Sequence, residues 1–206
     1  MTHIPMTPSQ TVGPFFHGAL LRDDSIRQTL VVPNADGEHL RLEGRLLDGD
    51  GQGVPDGMIE IWQANRHGRY HHPLENARPL LDPAFIGFGR CGTDDEGRYW
   101  FETIRPGRVA YDETRLQAPH ISIAVHARGL LNHLFTRAYF ADDVANAVDP
   151  VLLRVPADRR ATLMAHRSTT DDRAVYRFDI ILQGAGETVF LDFGPGRTSP
   201  VARAHR

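Results

Sequence analysis

"EHLRLEGRLLD", residues 38–48, alternates apolar and charged side chains with a period of two. Leu40, Leu42 and Leu46 fall on one side of an extended chain and Arg41, Glu43 and Arg45 on the other, which is the pattern of a strand buried on one face. The same period appears in "GMIEIWQAN" (57–65), where Ile59 and Ile61 alternate with Glu60 and Trp62. In "RYWFETI" (98–104), Tyr99, Phe101 and Thr103 oppose Trp100, Glu102 and Ile104. Further strands are expected in "HISIAVHA" (120–127), "HLFTRAYF" (133–140), "AVYRFDIILQ" (174–183) and "ETVFLDF" (187–193). Gly184 and Gly186 between the last two suit a hairpin turn. About seven short strands separated by turn signals predict an all-β, immunoglobulin-like antiparallel sandwich.

Helical signal is sparse. "PADRRATLMAHR" (156–167) opens with proline and aspartate and predicts one short helix, and "DDVANAV" (142–148) predicts a turn or two more. The first forty residues, rich in Pro, Gly and polar groups, read as an arm without core residues that needs something to lie on, a partner chain being one candidate. The expected layout is an arm over 1–37, the sandwich over 38–193 and a loose tail over 194–206.

The chain has 206 residues, enough for one well-buried domain. Hydrophobic residues at 41% and charged residues at 24% argue against disorder, collagen and coiled coil. A net charge of -3 with both signs interspersed offers no basic face for nucleic acid. Every cationic side chain among the Lys+Arg total is arginine. No apolar run reaches the roughly 20 residues that a membrane span requires. Cys91 is the single cysteine, so no internal disulfide forms, and it reads as a reduced packing thiol. The N-terminus lacks the charged start and apolar run of a signal peptide, and a cytoplasmic location is the expectation.

Eleven histidines raise the question of a metal. His3, His17, His39, His166 and His205 have no other ligand type in phase and read as solvated surface residues. Two neighbourhoods remain: the loop "NRHGRYHHPLEN" (65–76), with His67, Tyr70, His71 and His72, and the strand opening at His120, with Ser122 and His126. Two imidazoles at i and i+2 of a strand present to one ion. Here the second is a serine hydroxyl, and His120 on its own reads first as a hydrogen-bonded histidine at a strand edge, with a metal ligand as the alternative. No G-x-S-x-G elbow, phosphate-cradling glycine loop or C-x-x-C pair is present.

Taken in order, "TPSQTVGPFF" (7–16), "GRLLDGDGQGVPDGMIEIWQANRHGRY" (44–70), "DPAFIGFGRCGTDDEGRYWFETIRPG" (82–107), "APHISIAVHARGLLNHLFTRAYFADD" (118–143), "DPVL" (149–152) and "YRFDIILQGAGETVFLDF" (176–193) resemble the intradiol ring-cleaving dioxygenases over nearly the whole chain. The resemblance is strongest to the alpha-type subunits of the family's two-subunit branch. It implies a β-sandwich that takes part in cleaving protocatechuate with O2 between its ring hydroxyls, giving 3-carboxy-cis,cis-muconate.

The family's cofactor is non-haem Fe(III), held by two tyrosinates and two histidines. Hard phenolate oxygens suit a hard trivalent cation. By motif these ligands fall on Tyr70, Val109, His120 and Ser122, so two of the four are missing. The resemblance therefore implies no metal on this chain, with Tyr70 and His120 kept as packed residues and the iron carried by a homologous beta subunit. It also implies that Thr11, Gly13, Pro14 and Phe15 of the N-terminal motif and Arg128 of "HARG" line the substrate pocket of that partner, with Arg128 suited to the substrate carboxylate. Two other readings stay open. One is a self-sufficient homomeric intradiol dioxygenase in which Tyr111 serves for Val109; the other is a non-catalytic sandwich module that binds a partner or small molecule.

Overall fold

In the computed structural model, residues 9–75, 80–168, 174–192 and 201–202 are described. The alternation in 38–48 becomes β1 (His39–Leu47), with Leu40, Leu42 and Leu46 buried. Six further strands of four or more residues follow: β2 (Met58–Trp62), β3 (Phe88–Gly92), β4 (Arg98–Ile104), β7 (His120–His126), β8 (Leu134–Phe140) and β9 (Met164–Arg167). Another, β10 (Ala174–Arg177), precedes β11 (Ile180–Ile181), and the short pieces β5 (Val109–Ala110), β6 (Leu116–Gln117), β12 (Leu191–Asp192) and β13 (Val201–Ala202) complete the set.

One layer is built on β1, which pairs antiparallel with β4 and, on its other edge, parallel with β10 and then β11. The second layer runs β3-β2-β7-β8, antiparallel throughout. Strand β9 joins the layers: Met164 and Ala165 pair parallel with β8, and His166 and Arg167 pair antiparallel with β10. The core lies between, with Leu42, Phe101 and Tyr176 from one layer against Ile59, Ile61, Ile121, Ile123 and Val125 from the other. Cys91 packs into it, and burial pushes its thiol up to about 12, against a hydrogen bond with the Trp100 backbone. Inside, Tyr99 donates its hydroxyl proton to the Phe178 carbonyl oxygen at 2.5 Å.

Three expectations are corrected. Residues 156–167 are not one helix: a 3-10 helix covers Ala157–Leu163, and the chain then extends as β9 because two neighbouring strands offer it hydrogen bonds. The segment 174–183 is two strands, interrupted at Phe178 and Asp179 although both pieces keep one register along β1. The first forty residues do reach the core. Leu30 is 5% exposed, and the segment around it bridges the layers through Arg27↔Arg90 and Thr29↔Glu102. A short helix α1 (Pro14–Leu20) precedes this bridge. At the Gly184–Gly186 turn both glycines have positive φ, of 89° and 79°, and Thr188 N–H returns to the Ile181 carbonyl oxygen at 2.9 Å. Most of the predicted tail lies outside the described residues; within it, β13 pairs with β12.

Candidate functional site

The outward face of the β3-β2-β7-β8 layer carries the polar residues. Directly opposed residues of antiparallel strands share a face, as do residues i and i+2. Ser122 of β7 lies opposite Arg137 of β8, and His120 opposite Tyr139. On the other side Ser122 lies opposite Trp62 of β2, whose ring stacks on Tyr70 at 5.7 Å. Val109 lies opposite Gln117 in the small β5–β6 hairpin, and Gln117 Oε1 accepts from Arg137 Nη1 at 2.7 Å. The four positions singled out from the sequence, Tyr70, Val109, His120 and Ser122, are thus gathered around Arg137.

Tyr70 is held there by a loop that Asn65 organises. Asn65 Oδ1 accepts from the N–H groups of His67 and Arg69, and its carbonyl oxygen accepts from Gly68 and Gly107. Gly68 has φ of 71°, and a Cβ there would lie 1.9 Å from the Arg108 carbonyl oxygen. Only glycine lets this loop press against the one that leads into Val109. The Trp62, Tyr70 and His72 side chains open onto a cavity of about 310 Å³.

His120 is 2% exposed. Its Nδ1 is 2.8 Å from the Ala118 carbonyl oxygen, which only accepts, so the proton sits on Nδ1 and Nε2 carries a bare lone pair. Among the described residues that lone pair has no hydrogen-bond partner, and neither has Arg137 Nε. An orphaned buried polar atom costs about 1–3 kcal/mol. Burial first, and the Arg137 charge second, push the His120 imidazole down to about 3, so it is neutral in the fold. Burial raises the Tyr70 phenol, with Arg137 opposing. Arg137 Nη1 also reaches the Tyr139 hydroxyl at 3.4 Å, and that hydroxyl donates to Asp149 at 3.2 Å. Asp149, fully buried, accepts in addition from the N–H groups of Ala118, Val151 and Leu152.

Ferric iron fits this cluster poorly. The unpartnered His120 lone pair and the Tyr70 phenol are donors of the right chemistry, but Val109 and Ser122 supply no anion or imidazole, and Arg137 brings a positive charge among them. Among the described residues, no group of three or more His, Cys, Asp or Glu is arranged to hold a metal. Tyr111 sits beyond β5 at the hairpin turn, with the Arg115 guanidinium 4.8 Å over its ring.

A second pocket, of about 450 Å³, lies at the other end of β7, where Thr11, Gly13 and Phe16 of the arm meet His126, Leu130 and His133. Thr11 Oγ1 accepts from the Gly129 N–H at 2.7 Å, which ties the arm to the loop that carries Arg128. Phe16 packs on His126 at 5.6 Å, and His126 stacks on His133 at 5.2 Å. Glu60 lies 3.8 Å from His126 Nε2 and takes two hydrogen bonds from Arg90. His126, and then Arg90, hold the Glu60 carboxyl below its ordinary value against partial burial. Arg128 itself reaches outward, 63% exposed, with Nη1 3.6 Å from Asp56. The backbone of Pro14 and Phe15 opens α1; their side chains lie outside the described residues. A larger cavity of about 750 Å³ lies on the outer face of β1 and β4, where Arg41, Arg98 and Arg177 are already engaged by Glu43 and Asp94.

Arg137, Gln117, Tyr139 and Asp149 were not apparent from the sequence. An arginine inside "HLFTRAYF" reads as one charged residue on a wet face. The signal lies in register: once β7 and β8 are paired, Arg137 stands opposite the serine of the His-x-Ser motif.

The dioxygenase family model matches residues 11–184. The chain is 46% identical to the protocatechuate 3,4-dioxygenase alpha chain of Burkholderia cepacia, over 93% of this chain and 100% of that one. It is 44% identical to the alpha chain of Pseudomonas putida, over 92% of this chain and 98% of that one. It is also 33% identical to the beta chain of Burkholderia cepacia, over 90% of this chain and 79% of that one. Among solved structures, the dioxygenase domain of a carbohydrate-binding fusion protein from Streptomyces sp. SirexAA-E shares the fold, with TM-score 0.60, 22% identity and coverage of 86% of this chain and 99% of that one. A sandwich with this segment order, matched by the family along most of its length, is a member of the intradiol dioxygenases, and the chain belongs to that family.

Proposed function

We propose that the chain is the alpha-type subunit of a protocatechuate 3,4-dioxygenase and works in a hetero-oligomer with a homologous beta subunit that carries Fe(III). The assembled enzyme cleaves protocatechuate between its two hydroxyls, with O2, to 3-carboxy-cis,cis-muconate. The observation that carries this reading is the pair Val109 and Ser122: a chain this similar to the alpha relatives offers neither phenolate nor imidazole at two of four ligand positions. The ring chemistry then falls to the partner, and this chain completes the partner's pocket.

Residues 1–37 act as the arm that contacts the partner, 38–193 as the sandwich and 194–206 as the tail. Thr11, Gly13, Pro14 and Phe15 line the substrate pocket, and Arg128 faces the substrate carboxylate, which a guanidinium grips through two parallel hydrogen bonds. The bond from Gly129 N–H to Thr11 supports this by fixing arm and loop as one surface. The exposure of Arg128, whose guanidinium lies 3.6 Å from the outlying Asp56 carboxylate, leaves it available to a ligand. No helix among the described residues is long and apolar enough to cross a membrane, and the buried thiol of Cys91 accords with a reducing cytoplasm.

The test is to purify this chain and a four-ligand homologous subunit separately and together, and to follow protocatechuate loss and O2 uptake. Stable co-purification, with turnover far above that of either chain alone, is expected. Full turnover by this chain by itself would favour the homomeric reading, and failure to associate would favour a separate binding module.

A further inference from the structure

We propose that Arg137 is the residue that excludes a metal from this chain: its guanidinium is a fixed cation standing where a bound ion's charge would fall among Tyr70, His120 and positions 109 and 122. This deepens the reading above and rests on it. Three observations carry it. Arg137 is directly opposite Ser122 on the same sheet face, and Gln117, the residue opposite Val109, anchors its Nη1 at 2.7 Å. The two absent ligands are thus bracketed by the arginine and its anchor. Arg137 is 8% exposed, and no carboxylate forms an ion pair with it among the described residues. A cation buried without an anion is held at a cost, and a second cation beside it would be repelled in a medium that screens poorly. Finally, the His120 Nε2 lone pair in the same cluster has no partner among the described residues, so the pocket keeps a ligand atom that none of them takes up.

It follows that restoring ligands is not enough. Four full-length chains are compared after anaerobic loading with iron and desalting: wild type; the double variant Val109→Tyr, Ser122→His; and that double variant carrying either Arg137→Gln or Arg137→Lys. Iron per chain is measured by mass spectrometry, the visible tyrosinate-to-iron absorption is recorded, and each chain is checked for a cooperative thermal transition. The double variant and the Arg137→Lys triple variant are expected to stay colourless and nearly iron-free. The Arg137→Gln triple variant is expected to bind at least about tenfold more iron, since it removes the charge. Equal iron in the double and the Arg137→Gln chains would overturn the proposal, and so would equal iron in the Gln and Lys chains, because shape rather than charge would then decide. A folded Arg137→Gln triple variant without iron would overturn it too. Loss of the folded state on removing the guanidinium would make Arg137 a structural residue and would likewise end the proposal. Iron in the wild-type chain is a different failure, that of the subunit reading itself.

Discussion

His120 and His126 stand on the same face of one strand, six residues and roughly 20 Å apart, yet they live in opposite surroundings. His120 is sealed, neutral and beside the buried Arg137 cation, which has no ion-pair partner among the described residues. His126 is partly buried, its side chain 20% exposed, with Phe16, His133 and Glu60 around it and an open pocket in front. The difference lies in what covers each end of the sheet. Over His120 and Tyr139 a second apolar cluster closes down, built from Ala118, Ala145, Leu152, Val155, Leu163, Val189 and Leu191. Over His126 lie the arm and the loop carrying Leu130 and His133, with a pocket between them. One end of the layer is packed shut, and the other opens onto a pocket beside the arm.

The largest effect is expected at the sealed end. Asp149→Ala removes the acceptor of four hydrogen bonds at a fully buried site and should lower stability by about 3–5 kcal/mol, read from the denaturant midpoint. A loss below about 1 kcal/mol would show that this end is less tightly sealed than described. At the open end, deleting residues 1–16 takes away Thr11 and Phe16 together. The assembled enzyme should lose on the order of a hundredfold in kcat/KM, or fail to assemble, while the partner keeps its iron. Normal assembly and turnover would contradict the role given to the arm. Arg128→Ala should cost the assembled enzyme about tenfold in kcat/KM, the worth of one charge-assisted pair, with iron content unchanged. Loss of iron instead would mean that Arg128 serves the partner's metal rather than the substrate. Thr11→Val, which removes one exposed hydrogen bond to Gly129, should change kcat/KM only a few-fold.

Much of this was legible in the residues, for a physical reason. Alternation reports which face is dry, and in β1, β2 and β4 the apolar phase did mark the core. Ile104 departs from it, being fully buried although it is in phase with Trp100 and Glu102. Met164–Arg167 reads as the continuation of a helix opened by Pro156 and Asp158, whereas its conformation is set by strands distant in sequence. Leu30 was missed because the short apolar run Leu30-Val31-Val32 has no alternating period, although Leu30 is the plug between the layers. Within the site, the motif positions were visible one by one. The charge that unites them was not, since only the pairing of β7 with β8 brings Arg137 to Ser122.

The most direct test of the central claim, that this chain keeps the dioxygenase scaffold without its metal, is the iron content and visible spectrum of the wild-type chain expressed by itself in iron-supplemented cells. Colourless protein with negligible iron is predicted, against a coloured, iron-bearing protein when the four-ligand partner is co-expressed. Stoichiometric iron with a tyrosinate charge-transfer band in the lone chain would contradict the account.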